Sequence, residues 1–338
     1  MNKLELAITK AWQQQSSWLW LLSPLSLLYA VATKIQQQLY RQGIKSVYRA
    51  AVPVLVIGNI TVGGSGKTPL LIALINYLQS KGISVGAISR GYGRKTDNHQ
   101  LPVLVSAKDA PSDVGDEPCL IVQSTGVPMA VGADRGRAIE LLLQHYPDTA
   151  LIISDDGLQH HGLHRDAEWI VVDSARGFGN AKLLPQGFLR EPISRLQTAT
   201  VIYHDTQRSQ SDMSMHLEPM ALTPLIKQTL QAAPTSKTVY AVSGIGYPAR
   251  FFATVANLGH RVIPKPFADH HEFVLSDLLP LGDYPVVVTS KDAVKLRQLA
   301  KQSPHEIFAN IWVLPVQAVL SPNIYAAMDE LLKKWHIV

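Results

Sequence analysis

The chain has 338 residues, enough for one large or two medium α/β domains, and its 46% hydrophobic and 17% charged residues exclude a largely disordered protein. The formal net charge of +5 favours an anionic partner, such as a nucleotide, a nucleic acid or an anionic lipid. The single cysteine, Cys119, excludes an internal disulfide, is typical of a reducing compartment, and is interpreted as a small core residue.

An uncharged apolar segment extends from Trp18 to Ala32, near the N-terminus. It is shorter than the roughly 20 apolar residues of a membrane span, and it lacks the basic start and cleavage site of a signal peptide. The residues that follow it are basic: Lys34, Arg41, Lys45 and Arg49. We therefore predict that residues 1–45 form an apolar helical segment associated with an anionic membrane surface. The alternative is an ordinary buried helix.

Short apolar strands alternate with helical segments through the middle of the chain. We predict strands at 53–60, 85–89, 127–131, 150–154 and 169–173, and helices at 69–81 and 134–145. This alternation indicates the α/β class, with a mostly parallel sheet flanked by helices. A second α/β pattern follows, with strands at 238–242, 261–264 and 285–289 and a helix at 248–258.

The two patterns predict two domains after the N-terminal segment. We place a core domain at residues 46–200 and a smaller α/β domain at residues 201–338.

A glycine-rich segment between the first strand and its helix carries the clearest chemistry: Gly63, Gly64, Ser65, Gly66, Lys67 and Thr68. The last three residues fit the Walker pattern, although Thr61 occupies its first glycine position. Backbone N–H groups of such a loop bind phosphate, while the lysine neutralises charge and the threonine hydroxyl holds Mg²⁺. We predict ATP and Mg²⁺ as cofactors; the alternative is a plain glycine turn. The fold of the core domain 46–200 is then P-loop NTPase-like, and we expect the smaller domain 201–338 to close over the nucleotide.

Acidic residues stand where the metal site of a P-loop protein requires them. Asp155 and Asp156 follow the buried strand 150–154, and we predict them as metal ligands together with Thr68, the alternative being a pair of helix caps. Close by, His160, His161 and His164 have an H-H-x-x-H spacing. Because no glutamate base or cysteine ligand accompanies them, we do not predict zinc.

Seven motifs in a fixed order carry a family resemblance. They are GNITVGGSGKTP at 58–69, SRGYGR at 89–94, GDEP at 115–118, DDGLQH at 155–160, LPQGFLREP at 184–192, DHH at 269–271 and TSKDAVK at 289–295. Together they resemble the tetraacyldisaccharide 4′-kinases, the lipid A 4′-kinases of Gram-negative bacteria. The irregular glycine spacing is also the family's own. Ser290 departs from the pattern, since an acidic residue is expected there, and this weakens any role for its side chain.

The resemblance implies a lipid kinase. Such an enzyme transfers the γ-phosphoryl group of ATP to the 4′-hydroxyl of tetraacyldisaccharide 1-phosphate and forms lipid IV-A. It also implies a peripheral protein on the cytoplasmic face of the inner membrane, which agrees with the N-terminal apolar segment. We expect a monomer, and no motif supports nucleic-acid binding.

The resemblance also assigns catalytic roles. It implies that Asp116 accepts the hydroxyl proton, that His270 orients or tunes it, and that Lys67 acts on the phosphates. Without the resemblance, Asp116 is interpreted as a turn residue and His270 as a surface histidine. Further candidates for contact with substrate are Tyr92, Glu117, Arg135, Gln159, His160, Arg190 and Glu191.

Two other functions stay open at this level. One is a P-loop NTPase whose hydrolysis drives a partner, such as a metallochaperone or a membrane-targeting ATPase. The other is a membrane-bound nucleotide sensor without chemistry, which would leave Asp116 and His270 unexplained. The TSKD motif is no guanine site, because Lys291 and Asp292 are adjacent rather than separated by one residue.

Overall fold

A computed structural model of the protein describes residues 14–94, 101–204, 213–226 and 236–338, together with Ile8, Ala11, Trp12 and Pro234. Its strands are β1 (Val54–Gly58), β2 (Val85–Ser89), β3 (Val103–Leu104), β4 (Met129–Val131), β5 (Leu151–Asp155), β6 (Ala167–Asp173), β7 (Thr200–His204), β8 (Ser214–Pro219), β9 (Thr223–Pro224), β10 (Thr238–Ser243), β11 (Arg261–Pro266), β12 (Val286–Thr289), β13 (Ile311–Leu314) and β14 (Val316–Leu320).

The α-helices within these residues are α1 (Ser23–Arg41), α2 (Lys67–Ser80), α3 (Pro111–Val114), α4 (Asp116–Thr125), α5 (Arg135–His145), α6 (Pro248–Asn257), α7 (Leu275–Leu278), α8 (Ser290–Gln302) and α9 (Pro322–Lys334). Short 3₁₀ helices occupy Ser17–Leu22, Ile193–Thr198, Leu279–Leu281 and Glu306–Asn310.

The larger sheet has nine strands in the order β14-β8-β7-β6-β1-β5-β2-β4-β3. Its inner strands pair in parallel, and the antiparallel strands β14 and β3 form its two edges. β5 and β2 lie on one side of β1, and β6 lies on the other. In open α/β sheets such a change of direction marks the place where ligands bind, beyond the carboxyl ends of the strands. The predicted α/β fold is confirmed.

Both faces of this sheet are buried under helices. Leu55 and Ile57 of β1 pack in the cluster that contains the buried side of α2, whereas Val54 and Val56 pack in the cluster that contains α5. Because alternate side chains point to opposite faces, a strand covered on both sides must be apolar throughout. This explains the unbroken apolar run that precedes the phosphate loop.

The smaller sheet has five strands in the order β11-β10-β12-β13-β9, with all pairs parallel except β13–β9. Its two faces also have separate cores. Ala293 and Leu296 of α8 lie in one cluster, and Phe251 and Val255 of α6 lie in the other. The second α/β pattern of the sequence is therefore a three-layer unit of its own.

The end of the chain returns to the larger sheet. β7, β8 and β14 all pair within it, and Ile324 and Met328 of α9 pack in the same cluster as α2. Residues of the predicted domain 201–338 thus complete the first sheet. Residues on both sides of the predicted boundary near residue 200 therefore pair in one sheet. An edge strand can pair with any later part of the chain that reaches it.

The N-terminal helix α1 lies on the surface, so the alternative of a buried helix is wrong. Trp20 is 65% exposed, Leu27 66% and Leu28 65%. The helical segment Ser17–Arg41 is longer than the predicted apolar run and is long and apolar enough to cross a membrane, and only 11% of its apolar 18-residue window is buried. Its apolar side is thus exposed along most of its length.

Two hydrogen-bonded contacts hold α1 on the core. The Ser26 hydroxyl donates to the Leu183 carbonyl over 2.8 Å and accepts from the Gln186 N–H over 3.0 Å. The Tyr29 hydroxyl donates to the Arg190 carbonyl over 3.0 Å. The apolar helix is therefore attached directly to the LPQGFLREP loop.

Candidate active site

The phosphate loop joins β1 to α2 and is braced by Asn59. Lys67 donates from Nζ to Asn59 Oδ1 over 3.0 Å. The Asn59 amide in turn donates to the Gly63 carbonyl over 3.1 Å and to Thr61 Oγ1 over 3.2 Å. The threonine at the first Walker glycine position is thus an acceptor that holds this brace. Gly66 has φ +96°, a left-handed conformation that favours glycine.

Asp155 and Asp156 have opposite surroundings, although they are neighbours at the end of β5. Asp155 is 1% exposed, and neither of its carboxylate oxygens has a hydrogen-bond partner. Its burial, followed by the negative charge of Glu117, raises the pKa of Asp155 to about 7. Asp156 lies 3.5 Å from Lys67 Nζ and 2.8 Å from Arg190 Nη1. Burial opposes ionisation of Asp156, but these two cations outweigh it and lower its pKa to about 2.

The Asp155 carboxylate, which has no hydrogen-bond partner, is suited to bind a hard cation. A buried acid without a partner is costly unless a ligand compensates it, and Mg²⁺ takes oxygen ligands from one or two carboxylates and from phosphates. Among the described residues, no group of three or more His, Cys, Asp or Glu side chains is arranged to hold a metal. A cation beside Asp155 would therefore need Thr68 and the nucleotide to complete its ligands.

Asp116 and His270 meet, although 154 residues separate them in the chain. Asp116 opens helix α4 and is buried, and its Oδ2 lies 3.1 Å from His270 Nδ1. Burial acts to raise the pKa of Asp116, but the His270 hydrogen bond and the charges of Lys295 and Lys291 lower it below its ordinary value. The interpretation of Asp116 as a turn residue is wrong. The alternative of a surface histidine holds only in part for His270, since its side chain is 26% exposed and its ring is paired with Asp116.

Tyr92 and Glu117 also belong to this cluster. The Tyr92 ring centroid is 5.0 Å from that of His270, and the side chain is exposed rather than packed in the core. Glu117 Oε1 lies 3.1 Å from Lys291 Nζ. Although burial acts to raise the pKa of Glu117, Lys291 and Lys67 lower it. Glu117 therefore stands between the phosphate-loop lysine and the dyad.

The other predicted contact residues surround Asp155 and Asp156. Gln159 donates to Glu191 Oε1 over 2.6 Å. Arg135 is buried, which lowers its pKa to about 10 against the opposing charges of the two aspartates. His160 lies near Arg135. Burial of the His160 ring and the positive charge of Arg135 lower the pKa of His160 to about 4. His160 is therefore a neutral ring at pH 7.

The second unit directly contacts the phosphate loop. A Cβ added to Gly246, between β10 and α6, would lie 3.0 Å from the Gly64 nitrogen and 3.2 Å from the Gly63 Cα. Arg250 of α6 hydrogen-bonds Asp173 and lies 3.1 Å from His204 Nδ1, and that ring contacts the loop at the Ser65 carbonyl. Phosphate loop and second unit are therefore in van der Waals contact.

Comparison with known proteins assigns the chain to a family. The family model described as LpxK, tetraacyldisaccharide-1-P 4′-kinase, matches residues 18–333. The chain belongs to the tetraacyldisaccharide-1-P 4′-kinase family.

Relatives in this family match over nearly their whole length. The tetraacyldisaccharide 4′-kinase of Psychrobacter cryohalolentis is 51% identical, over 98% of this chain and 96% of its own. That of Actinobacillus pleuropneumoniae serotype 7 is 44% identical, over 96% and 98%. A solved LpxK structure from Aquifex aeolicus in complex with ATP has a TM-score of 0.72 and 27% identity, over 93% of this chain and 98% of that one. The resemblance predicted from the motifs is confirmed.

Several residues at this site of the 4′-kinase fold were missed in the sequence. Asn59, Asp269, Lys291 and Lys295 carried no assigned role, although all four lie within the quoted motifs or directly beside one. Lys295 Nζ is 3.5 Å from Asp116 Oδ2 and 3.5 Å from Asp292 Oδ1. Their place in the motifs is the only sequence feature that marks these residues. The two lysines alone indicate no function, because a lysine on an amphipathic helix is more often solvated. Ser290 lines a groove of about 1050 Å³ between α4 and α8 and has no contact with the dyad.

Proposed function

We propose that the protein transfers the γ-phosphoryl group of ATP to the 4′-hydroxyl of tetraacyldisaccharide 1-phosphate, and so forms lipid IV-A in lipid A biosynthesis. The observation that carries this proposal is the Asp116–His270 pair, 3.1 Å apart, which joins helix α4 to the unit that contacts the phosphate loop. A nucleotide switch has no need of a buried acid–histidine pair, whereas a kinase needs a base for its acceptor hydroxyl. Family membership supplies the acceptor.

The residues of the chain divide the chemistry between them. Asp116 takes the proton of the 4′-hydroxyl, and His270 orients its carboxylate. The backbone N–H groups of residues 63–68 and the Lys67 ammonium stabilise negative charge on the phosphates. Thr68 and Asp155 would hold Mg²⁺, which supplies further positive charge to the phosphate oxygens when bound. Asp156 serves differently, since it fixes Lys67 and Arg190 in place.

The acceptor enters on the side of the LPQGFLREP loop. Arg135 and Arg190 offer guanidinium groups for phosphate, either the transferring group or the 1-phosphate of the lipid. Gln159 and Glu191 are fixed to each other and, with His160, present polar groups to the sugar. Tyr92 borders the dyad from the other side.

We also propose that helix α1 places the enzyme on the cytoplasmic face of the inner membrane. Its exposed apolar side suits the interface between headgroups and acyl chains, and Lys34, Arg41 and Lys45 suit anionic headgroups. The Tyr29–Arg190 hydrogen bond links this helix to the acceptor side of the site. A lipid substrate would thus reach the dyad without leaving the membrane surface. We propose that the enzyme works as a monomer.

The decisive experiment supplies the acceptor. Purified protein is incubated with labelled ATP, Mg²⁺ and tetraacyldisaccharide 1-phosphate, and the extracted lipid is examined by mass spectrometry. A product heavier by one phosphate supports the kinase. ATP hydrolysis without a phosphorylated lipid, at a rate unchanged by the acceptor, would instead support a partner-driving NTPase and contradict the proposal. Asp116→Asn is the matched control for contaminating kinases.

A further inference from the structure

Lys291 of helix α8 is the centre of a small network at the dyad. Its Nζ lies 3.1 Å from Glu117 Oε1, 3.3 Å from His270 Nε2 and 3.5 Å from Asp269 Oδ1. Although burial disfavours its charge, Glu117 and Asp269 raise the pKa of Lys291 above its ordinary value. The side chain is therefore an ammonium group with three N–H donors and three neighbours to receive them.

This arrangement constrains the histidine. A lysine ammonium has no acceptor, so a hydrogen bond between Lys291 and His270 requires that His270 Nε2 accept and carry no proton. Asp269 Oδ1 also faces Nε2, but at 3.8 Å it is too far to accept a hydrogen bond from it. A neutral ring whose Nε2 is bare carries its proton on Nδ1, and that atom faces Asp116 Oδ2.

We propose that Lys291 is a positioning residue that keeps His270 Nε2 unprotonated, so that His270 acts on Asp116 as a neutral donor through Nδ1–H. A neutral partner orients the Asp116 carboxylate through Oδ2 without the full attraction of an imidazolium. A carboxylate paired with an imidazolium would be a weaker base toward the sugar hydroxyl. Among the described residues, none hydrogen-bonds the other oxygen, Oδ1, which is then the atom that receives the proton.

The charged groups around the pair come from both units. Asp116 and Glu117 belong to α4, Asp269 precedes the histidine, and Lys291 and Lys295 project from α8. Lys295 contacts Asp116 rather than the ring, so it affects the charge of the carboxylate and leaves the tautomer of His270 to Lys291. The Tyr92 ring lies 5.0 Å, centroid to centroid, from the His270 ring and is tilted by 56° to it.

The neighbouring His271 provides an internal comparison. Its Nε2 lies 2.9 Å from Asp277 Oδ2, a carboxylate that accepts, so His271 carries its proton on Nε2. Long-range proton–nitrogen spectra of ¹⁵N-histidine-labelled protein distinguish the two forms. At about pH 7 we expect wild-type His270 to show a protonated Nδ1 and a bare Nε2, and His271 to show a protonated Nε2. A protonated Nε2 on wild-type His270 would overturn the proposal.

Lys291→Met removes the donor while keeping a similar length of side chain. We expect the signal of His270 Nε2 in this variant to shift toward the protonated form, because the ammonium group that faces Nε2 at 3.3 Å, and that excludes a proton there, has gone. His271 should not change. Lys291→Arg, which also lacks an acceptor, should keep Nε2 bare, and so should Lys301→Met at the exposed end of the same helix. An unaltered His270 spectrum in folded Lys291→Met would refute the proposal.

The expected effect of Lys291→Met on catalysis rests on the proposed function, whereas the expected proton–nitrogen spectra do not. In Lys291→Met we expect kcat to fall by about tenfold to a hundredfold, part of the 10²–10⁴-fold contribution of a positioned base, with the KM for ATP within about threefold. Lys291→Arg should restore most of the rate. A normal kcat beside a protonated Nε2 on His270 would overturn the positioning role. Absent lipid phosphorylation in wild type would refute only the proposed function.

Discussion

Replacement of Asp155 by asparagine tests the electrostatics of the site most directly. The pKa of Asp155 is raised to about 7, whereas an aspartate in an unfolded chain has a pKa of about 3.9. Between these values the folded protein holds a proton that the unfolded chain has lost. The stability of the protein without Mg²⁺ and nucleotide should therefore fall as the pH rises from about 4 to about 7.

The size of this loss follows from the pKa difference. Each unit is worth about 1.4 kcal/mol, so an ionised Asp155 lowers the free energy of unfolding by on the order of 4 kcal/mol at pH 8. Asparagine cannot ionise, and Asp155→Asn should escape this loss. Its unpartnered amide has its own cost of about 1–3 kcal/mol, but that cost is the same at every pH. The change between two pH values therefore isolates the carboxylate.

The assay is urea denaturation of wild type and Asp155→Asn at about pH 5 and pH 8, without Mg²⁺ and nucleotide. The stability of wild type relative to the variant should fall by a few kcal/mol between the two pH values. Asp156→Asn is the matched control of opposite sign. The pKa of Asp156 is lowered to about 2, so its stabilisation is present above about pH 4, and its removal should destabilise at both pH values.

The effect of bound Mg²⁺ and ATP on stability provides a second measurement of the same carboxylate. Saturating Mg²⁺ and ATP should stabilise wild type much more than Asp155→Asn at pH 8, because the ligand binds only the folded state and compensates the carboxylate. If the two proteins show parallel stability between pH 5 and pH 8, Asp155 is not the proton-binding, unpartnered group described above.

Three further results are expected. Asp116→Asn should lower kcat by about 10²–10⁴-fold and leave ATP affinity, measured by fluorescence titration, within about threefold; a rate near wild type would contradict the base role. Gly246→Ala should raise the KM for ATP several-fold, since its Cβ meets backbone of the phosphate loop at 3.0 Å. Gly282→Ala should not, because its Cβ meets only the Leu279 carbonyl oxygen, at an ordinary contact distance of 4.0 Å. Leu28→Glu should weaken binding to anionic vesicles, measured by sedimentation, by about tenfold or more, because a leucine contributes about 1.5–3 kcal/mol on burial. The control Gln36→Glu should have a smaller effect. Equal vesicle binding by Leu28→Glu and wild type would contradict the membrane role of α1.

Local patterns explain why much of the fold was predictable. The strand before the phosphate loop is apolar throughout because both of its faces are buried, and its end at Gly58 lies within two residues of the prediction. The helix after the loop was predicted two residues late, since its first residue, Lys67, belongs to the phosphate loop. Helix α4 was missed, because a ten-residue helix opened by Asp116-Glu117-Pro118 resembles a turn in its first residues.

The sequence by itself determined the chemistry that is continuous along the chain: the glycine loop, the aspartate pair at a strand end, and an apolar helix with basic residues after it. Tertiary structure decided which of these groups meet. Asp116 and His270 are 154 residues apart, and Glu117 and Lys291 are 174 apart. Hydrophobic periodicity reports which face of an element is buried, but it carries no information on which distant element covers that face. The contrast between an unpartnered Asp155 and a paired Asp156 likewise depends on a loop that folds back from residue 190.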